Sequence, residues 1–274
     1  MTDAVPRAGH ETVRLVIATW NIHGCVGRDG REQPELTAAV IQELGADVVA
    51  LQEVWCRADE TGACTQPALL ASLAGYACLL GPTRREAEQH FGNALLARPA
   101  ALRLQRVDLS APGHEPRGAL DVTLDAWGTP VRVIATHLGL DLGERRQQVD
   151  RLLALIEDDA AAEPAQRAVP ASAPLLAVVG DFNDWLPGRS AANALDRRLG
   201  RCERLRTWPG RWPLLPLDRI WVRPFEALEA VRVHESAAAR AASDHLPVVA
   251  TLRLSDRHDA ARNAVTGLTS RHAR

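Results

Sequence analysis

Wherever an apolar run of this sequence stops, an acid, an amide or an imidazole follows. Asn21 comes at the end of the run that starts at Val13, Glu53 two residues past Leu51, His137 two past Ala135, and Asp181 with Asn183 just past Val179. Asp218 stands before Ile220, and Asp244 with His245 stand before Val248. If these ends share one rim, a single cleft receives four carboxylates, two amides and two imidazoles. Crowded carboxylates repel one another and raise their own pKa values unless a cation neutralises them. The chemistry that uses such a set is attack by water on a phosphorus ester. A hard divalent ion, Mg2+ or Mn2+, takes oxygen ligands and polarises a phosphoryl oxygen. A carboxylate takes the proton of the water, and an imidazolium stabilises the charge gathering on phosphorus or on the leaving oxygen.

The elements that must position these residues can be read from the apolar pattern. Val13 to Thr19 is a β-branched run with weak alternation, which predicts a strand covered on both faces. Pro34 opens a helix in which Leu36, Val40, Ile41 and Leu44 recur at helical spacing until Gly45, and a strand over 47–51 then delivers Gln52 and Glu53. Further short strands are expected over 94–97, 119–124, 131–135, 175–179, 220–222 and 248–254. Val149, Leu152, Leu153 and Ile156 mark a helix behind His137, and Ser190 is the expected cap of another that runs through Ala194 and Leu195 to Gly200. So many strands with so few helices predict an α/β sandwich of two packed, mainly antiparallel sheets with outer helices. Its expected limits are 13–254, between a disordered start over 1–12 and a flexible tail over 255–274. Residues 158–174, rich in Pro and Ala, read as a mobile loop within the domain.

Composition narrows the partners. At 274 residues with 46% hydrophobic content the chain can bury one large core. The 32 basic residues, all Arg, are balanced by 34 acids, so no overall positive field favours a nucleic-acid partner. The start lacks the apolar core of a secretion signal, and no run of about 18 apolar residues occurs. A soluble, cytoplasmic monomer is expected. Cys25, Cys56, Cys64, Cys78 and Cys202 are odd in number and lack a CxxC spacing, which predicts reduced thiols and no zinc site.

Six stretches, in order, carry a resemblance: "Ala-Thr-Trp-Asn-Ile-His-Gly", "Leu-Gln-Glu-Val", "Ala-Thr-His-Leu", "Val-Gly-Asp-Phe-Asn", "Leu-Asp-Arg-Ile-Trp-Val" and "Ser-Asp-His-Leu-Pro-Val". Together they resemble the signature series of the endonuclease/exonuclease/phosphatase superfamily, and they span nearly the whole chain. The resemblance implies a four-layered α/β sandwich with its site at one rim. It implies Asn21 and Glu53 as metal-site residues, Asp244 as a further ligand, and Mg2+ or Mn2+ as the ion. Asp181 resembles the carboxylate that orients or deprotonates water, and Asn183 the amide that holds the same oxygen or the phosphate. His245 resembles the imidazole on the scissile phosphate, Asp218 the acid that orients it, and His137 the second imidazole. Which group protonates the leaving oxygen stays open.

Other residues carry two readings each. Arg117, in a stretch similar to the Arg-Gly-Ala of related sequences, is a phosphate contact or a surface cation. Trp208 and Trp212 line the substrate or seal the core edge, and Trp185 invites the same pair of readings. His23 has no assigned role. The basic cluster Arg197, Arg198, Arg201, Arg204 and Arg206 reads as a partly helical solvated face. The resulting expectation is a divalent-metal phosphoesterase acting on a small or lipid-linked, membrane-surface diester, or on a monoester. A DNA nuclease is the alternative, and an inactive binding scaffold is the third reading.

Overall fold

Strand β1 (Arg14–Asn21) runs beside β2 (Val48–Arg57) in parallel, the two joined by helix α1 (Pro34–Leu44). Pro34 takes the first turn of α1, and Gly45 ends it with φ 59°, a left-handed backbone that glycine adopts without a Cβ clash. The computed structural model describes residues 13–57, 65–85, 89–161, 175–185 and 190–254. The start over 1–12, the tail over 255–274 and most of the loop expected over 158–174 lie outside the described residues.

After β2 come α2 (Thr65–Ala74), β3 (Ala77–Arg85), β4 (Gln89–Ala97), β5 (Ala100–Asp108), β6 (Gly118–Ala126) and β7 (Thr129–His137). Helix α3 (Leu142–Ala161) leads to β8 (Leu175–Asp181), α4 (Asn193–Leu199), β9 (Asp218–Arg223), β10 (Leu228–Val233), α5 (Ala237–Ala242) and β11 (Val248–Arg253). One sheet has the order β10-β11-β1-β2-β4-β3 and the other β5-β6-β7-β8-β9. Only β1 with β2 and β7 with β8 pair in parallel; the other described pairs are antiparallel.

Three apolar layers make this a four-layered sandwich, as expected. Along the first half of β2, Val48 and Ala50 enter the core between the sheets, while Val49 and Leu51 face the helices, so all four positions are apolar. On the far side of the first sheet lie Ala38, Val40, Ile41 and Leu44 of α1, Leu70 of α2 and Ala239 of α5. On the far side of the second lie Val149, Leu152 and Ile156 of α3 with Leu195 of α4, against Ile134, Val178 and Trp221. No helix among the described residues is long and apolar enough to cross a membrane.

Several expectations need correction. Helix α3 continues to Ala161, into the expected loop. Ser190 does not cap α4: Ala192 is the N-cap, and the Ser190 hydroxyl donates to Asp184 Oδ2 at 2.5 Å. The arginine cluster is partly helical and exposed, as expected, with Arg197 and Arg198 on α4 and Arg201, Arg204 and Arg206 beyond its end. Cys25, Cys78 and Cys202 are free, with thiol pKa values pushed up by burial, but Cys56 is disulfide-bonded.

Gly180, one residue before Asp181, has φ 149°, and a Cβ there would lie 2.0 Å from the Thr136 carbonyl oxygen of β7. A side chain at this position must push β7 and β8 apart. Gly180→Ala is therefore expected to cost about 3 kcal/mol of stability in a denaturant titration. A loss below about 0.5 kcal/mol, the range of an ordinary surface change, would contradict this close approach.

Candidate active site

The rim is built from strand ends. Asn21 is the last residue of β1, His137 of β7 and Asp181 of β8, while Asp218 is the first of β9. His137 and Asp181 are direct neighbours in the parallel pair, and Asp181 pairs with Asp218 in the antiparallel one. Glu53 is placed differently from the expectation. Strand β2 does not stop at Leu51; its pairing with β4 shifts register between Leu51 and Val54, and Glu53 sits in that irregularity with φ 56°. The irregularity turns the Glu53 carboxylate to the rim, which a regular strand would not do.

Asn21 joins the acids. Its Nδ2 donates to Glu53 Oε1 at 2.8 Å and to Asp181 Oδ2 at 3.1 Å, while its Oδ1 accepts the His23 backbone N–H at 3.0 Å. Asp181 Oδ1 accepts the Asn183 backbone N–H at 2.9 Å, a local turn that lets Asn183 hold φ 47°. The Asn183 side chain then donates Nδ2 to the Leu138 carbonyl at 3.0 Å and to His137 Nε2 at 3.1 Å. The Leu138 carbonyl can only accept, so the amide nitrogen faces it and His137 accepts at Nε2.

The two imidazoles are in opposite states. Burial lowers the pKa of His137 to about 3, the Arg117 and His245 charges add to that, and only Asp181 opposes it, so His137 is neutral. Burial also works against a charge on His245. There the carboxylates of Asp218 and Asp181 prevail and raise its pKa to about 10. His245 Nδ1 lies 2.9 Å from Asp218 Oδ2, and its Nε2 lies 3.7 Å from Asp181 Oδ2. The other Asp218 oxygen, Oδ1, is buried with no partner among the described residues. Burial raises the pKa of Glu53, and the charge of Asp181 raises it further.

Asp244 faces a different set of partners. Its Oδ2 accepts Trp208 Nε1–H at 3.1 Å, and its Oδ1 lies 4.0 Å from His23 Nδ1. Trp208 thus orients an acid of the site. The segment 243–245 is tied to β1 by Trp20 Nε1 on the His245 carbonyl at 2.9 Å and by the Ser243 hydroxyl on the Asn21 carbonyl at 2.8 Å. Arg117 is buried, 7% exposed, with Glu115 at 2.9 Å and an unpartnered Nε, so the surface-cation reading does not hold. Trp212 is 70% exposed and stands in solvent.

Sequence reasoning overlooked the supports of the rim. The loop behind His137 is latched by α3: Gln148 Oε1 accepts Gly139 N–H at 2.8 Å, and Arg145 donates to the Leu140 carbonyl at 2.5 Å and the Gly139 carbonyl at 3.2 Å. The Glu144 carboxylate fills the space where a Gly139 side chain would stand. Buried Arg219 donates to the Asp184 carbonyl and so anchors the loop after Asp181. These residues have ordinary helix-surface and turn identities; the one available signal was Arg219 inside the "Leu-Asp-Arg-Ile-Trp-Val" stretch.

The donor set fits a hard cation. Glu53 and Asp181 share the Asn21 amide, and the Asp181 charge adds to the cost of ionising Glu53, which a divalent ion would relieve. Ligand atoms of Asp181, Asp218 and His245 also lie within 4.8 Å of one another. There, however, the imidazolium already stands between the two carboxylates and supplies the positive charge, so the Glu53 side is the better seat for an ion.

The profile of the Endonuclease/Exonuclease/phosphatase family matches residues 18–245. The uncharacterized protein YbhP of Escherichia coli K12 is 31% identical over 239 residues, covering 81% of this chain and 88% of its own. Among solved structures, an endonuclease/exonuclease/phosphatase from Beutenbergia cavernae superposes with a TM-score of 0.64 at 26% identity, over 88% of this chain and 72% of that one. The mannosyl-6-phosphatase Bt3783 of Bacteroides thetaiotaomicron shares the fold, with a TM-score of 0.64 at 15% identity, over 86% of this chain and 98% of that one.

Proposed function

Because this chain belongs to the Endonuclease/Exonuclease/phosphatase family, whose members hydrolyse phosphoesters, we propose that it is a Mg2+-dependent hydrolase of a compact or lipid-linked phosphodiester. The observation that carries this reading is the placement of Asp181. One of its oxygens accepts from Asn21 at 3.1 Å and lies 3.6 and 3.7 Å from Nε2 of His137 and His245, which supports a role for this one buried carboxylate between a metal, a phosphate and an attacking water.

In this reading Asn21 and Glu53, with Asp244 close by, hold the ion, which when bound would polarise a phosphoryl oxygen. Asp181 orients the water and takes its proton, and Asn183, fixed on Leu138 and Asp181, keeps the accepting oxygen aimed. Charged His245, held by Asp218, donates to a non-bridging phosphoryl oxygen and balances its growing charge. Neutral His137, whose Nε2 already accepts from Asn183, positions that amide against the phosphate. Arg117 adds a fixed positive charge beside His137.

The test is a turnover screen of a chromogenic phosphodiester, phospholipids and plasmid DNA, each with Mg2+ and with chelator. Chelation is expected to abolish hydrolysis, and Mg2+ or Mn2+ to restore it without zinc. Full turnover after exhaustive chelation rules out the cation site. Efficient plasmid nicking with no turnover of the other two would make the chain a nuclease.

A further inference from the structure

Exposed large apolar side chains gather on the loops that leave the active-site rim. Leu140, three residues beyond His137, is 66% exposed, and Trp185, four beyond Asp181, is 37% exposed. On the loop that leads into Asp218, Trp212 is 70% exposed and Leu214 63%. Each of these loops adjoins a strand end that carries a site residue, so the four side chains belong to one end of the sandwich.

The loop bearing Trp212 and Leu214 is held firmly. Leu214 N–H and Leu215 N–H both donate to the Trp208 carbonyl at 2.8 Å, and Trp212 N–H donates to the Pro209 carbonyl at 3.0 Å. Gly210 N–H donates to the Asp244 carbonyl at 2.6 Å, and Arg240 Nη1 reaches the Gly210 carbonyl at 2.7 Å and the Arg211 carbonyl at 3.0 Å. The backbone therefore fixes Trp212 outward; its exposure is built, not slack. The stretch leading to it carries the exposed arginines Arg201, Arg206 and Arg211, with Glu203 the one acid between 201 and 212, and of these the Arg211 guanidinium lies 5.9 Å from the Trp212 ring.

We propose that this rim docks on an anionic lipid bilayer, with Trp212, Leu214, Leu140 and Trp185 entering the interface and Arg201, Arg206 and Arg211 meeting the head groups. The inference rests on the phosphoester-hydrolase reading and narrows its substrate to esters presented at a membrane surface. Indole and aliphatic side chains flanked by arginines suit the boundary between head groups and acyl chains. A nucleic acid would use the tryptophans and arginines, but Leu140 and Leu214 offer nothing to a polyanion. Docking in this orientation would turn the catalytic strand ends toward the bilayer.

The opposite end of the sandwich supplies the control. Trp127, 56% exposed, lies in the turn between β6 and β7, the far end of the strand that delivers His137. The full chain is cosedimented with vesicles of phosphatidylcholine alone and of phosphatidylcholine mixed with phosphatidylglycerol, without any turnover being read. Docking is expected on the mixed vesicles, with a blue shift of tryptophan emission. The double variant Trp212→Ala, Leu214→Ala is expected to lose roughly tenfold or more of this partitioning, and Trp127→Ala to keep it, both with unchanged circular dichroism. Equal binding by the double variant, binding lost in Trp127→Ala, or no sedimentation at all overturns the proposal. So does tight duplex-DNA binding that is lost with Trp212 while vesicles are ignored. Hydrolysis assayed separately on a soluble diester keeps a failure of docking distinct from a failure of the chemistry.

Discussion

Replacing Asp181 with alanine is expected to lower kcat roughly a hundredfold or more on whichever phosphoester the protein prefers. The carboxylate is buried at the end of β8, and its two oxygens receive the Asn183 backbone and the Asn21 amide, so it cannot be replaced by a neighbour. Alanine also removes the turn that seats Asn183. Asp181→Asn separates the two effects, because an amide oxygen can still accept from Asn183 N–H but cannot take a proton from water. Both variants are expected to lose kcat while retaining the thermal unfolding midpoint to within a few degrees. An Asp181→Asn enzyme with near-normal kcat would remove the proton-accepting role and leave Asp181 a positioning residue.

The second large effect is expected at the imidazole opposite. His245→Ala should cost about a hundredfold in kcat, because no other cation faces Asp181 from β11 or its entry segment. Asp218→Asn should act through His245, since Asp218 Oδ2 lies 2.9 Å from Nδ1 and is a main source of its charge. A pair that works as one unit loses its whole contribution once, so the double variant should be about as slow as the slower single one. Fully additive losses in the measured kcat would show two independent residues and dissolve the pair.

The apolar pattern was sufficient for the middle of each sheet. Strands β1, β2, β6, β7, β8 and β11 are covered on both faces, so their sequences are near-continuous apolar runs that cannot be mistaken for loops. The strands that escaped reading are three of the four sheet edges, β3, β5 and β10; the fourth, β9, is buried almost throughout and was legible. Strand β5, "Ala-Ala-Leu-Arg-Leu-Gln-Arg-Val-Asp", has no fully buried residue to give it a pattern. Its place is set by the neighbour that pairs with it.

For the candidate site, the residue types and their order along the chain were legible in the sequence, because polar residues follow where the apolar runs stop. The sequence could not determine how they meet. The register shift that turns Glu53 to the rim depends on how β2 pairs with β4, which lies 36 to 44 residues downstream of Glu53. The Trp208 indole reaches Asp244 only because two loops close on each other. Above all, His137 and His245 are the same side chain at similar burial, and nothing local makes one neutral and the other charged. Their pKa values, about 3 and about 10, part because His245 has Asp218 at hydrogen-bond distance while His137 has an amide donor and the charge of Arg117. Charge state in a buried cleft is set by whatever lies within a few ångströms, and only the packed tertiary structure decides what that is.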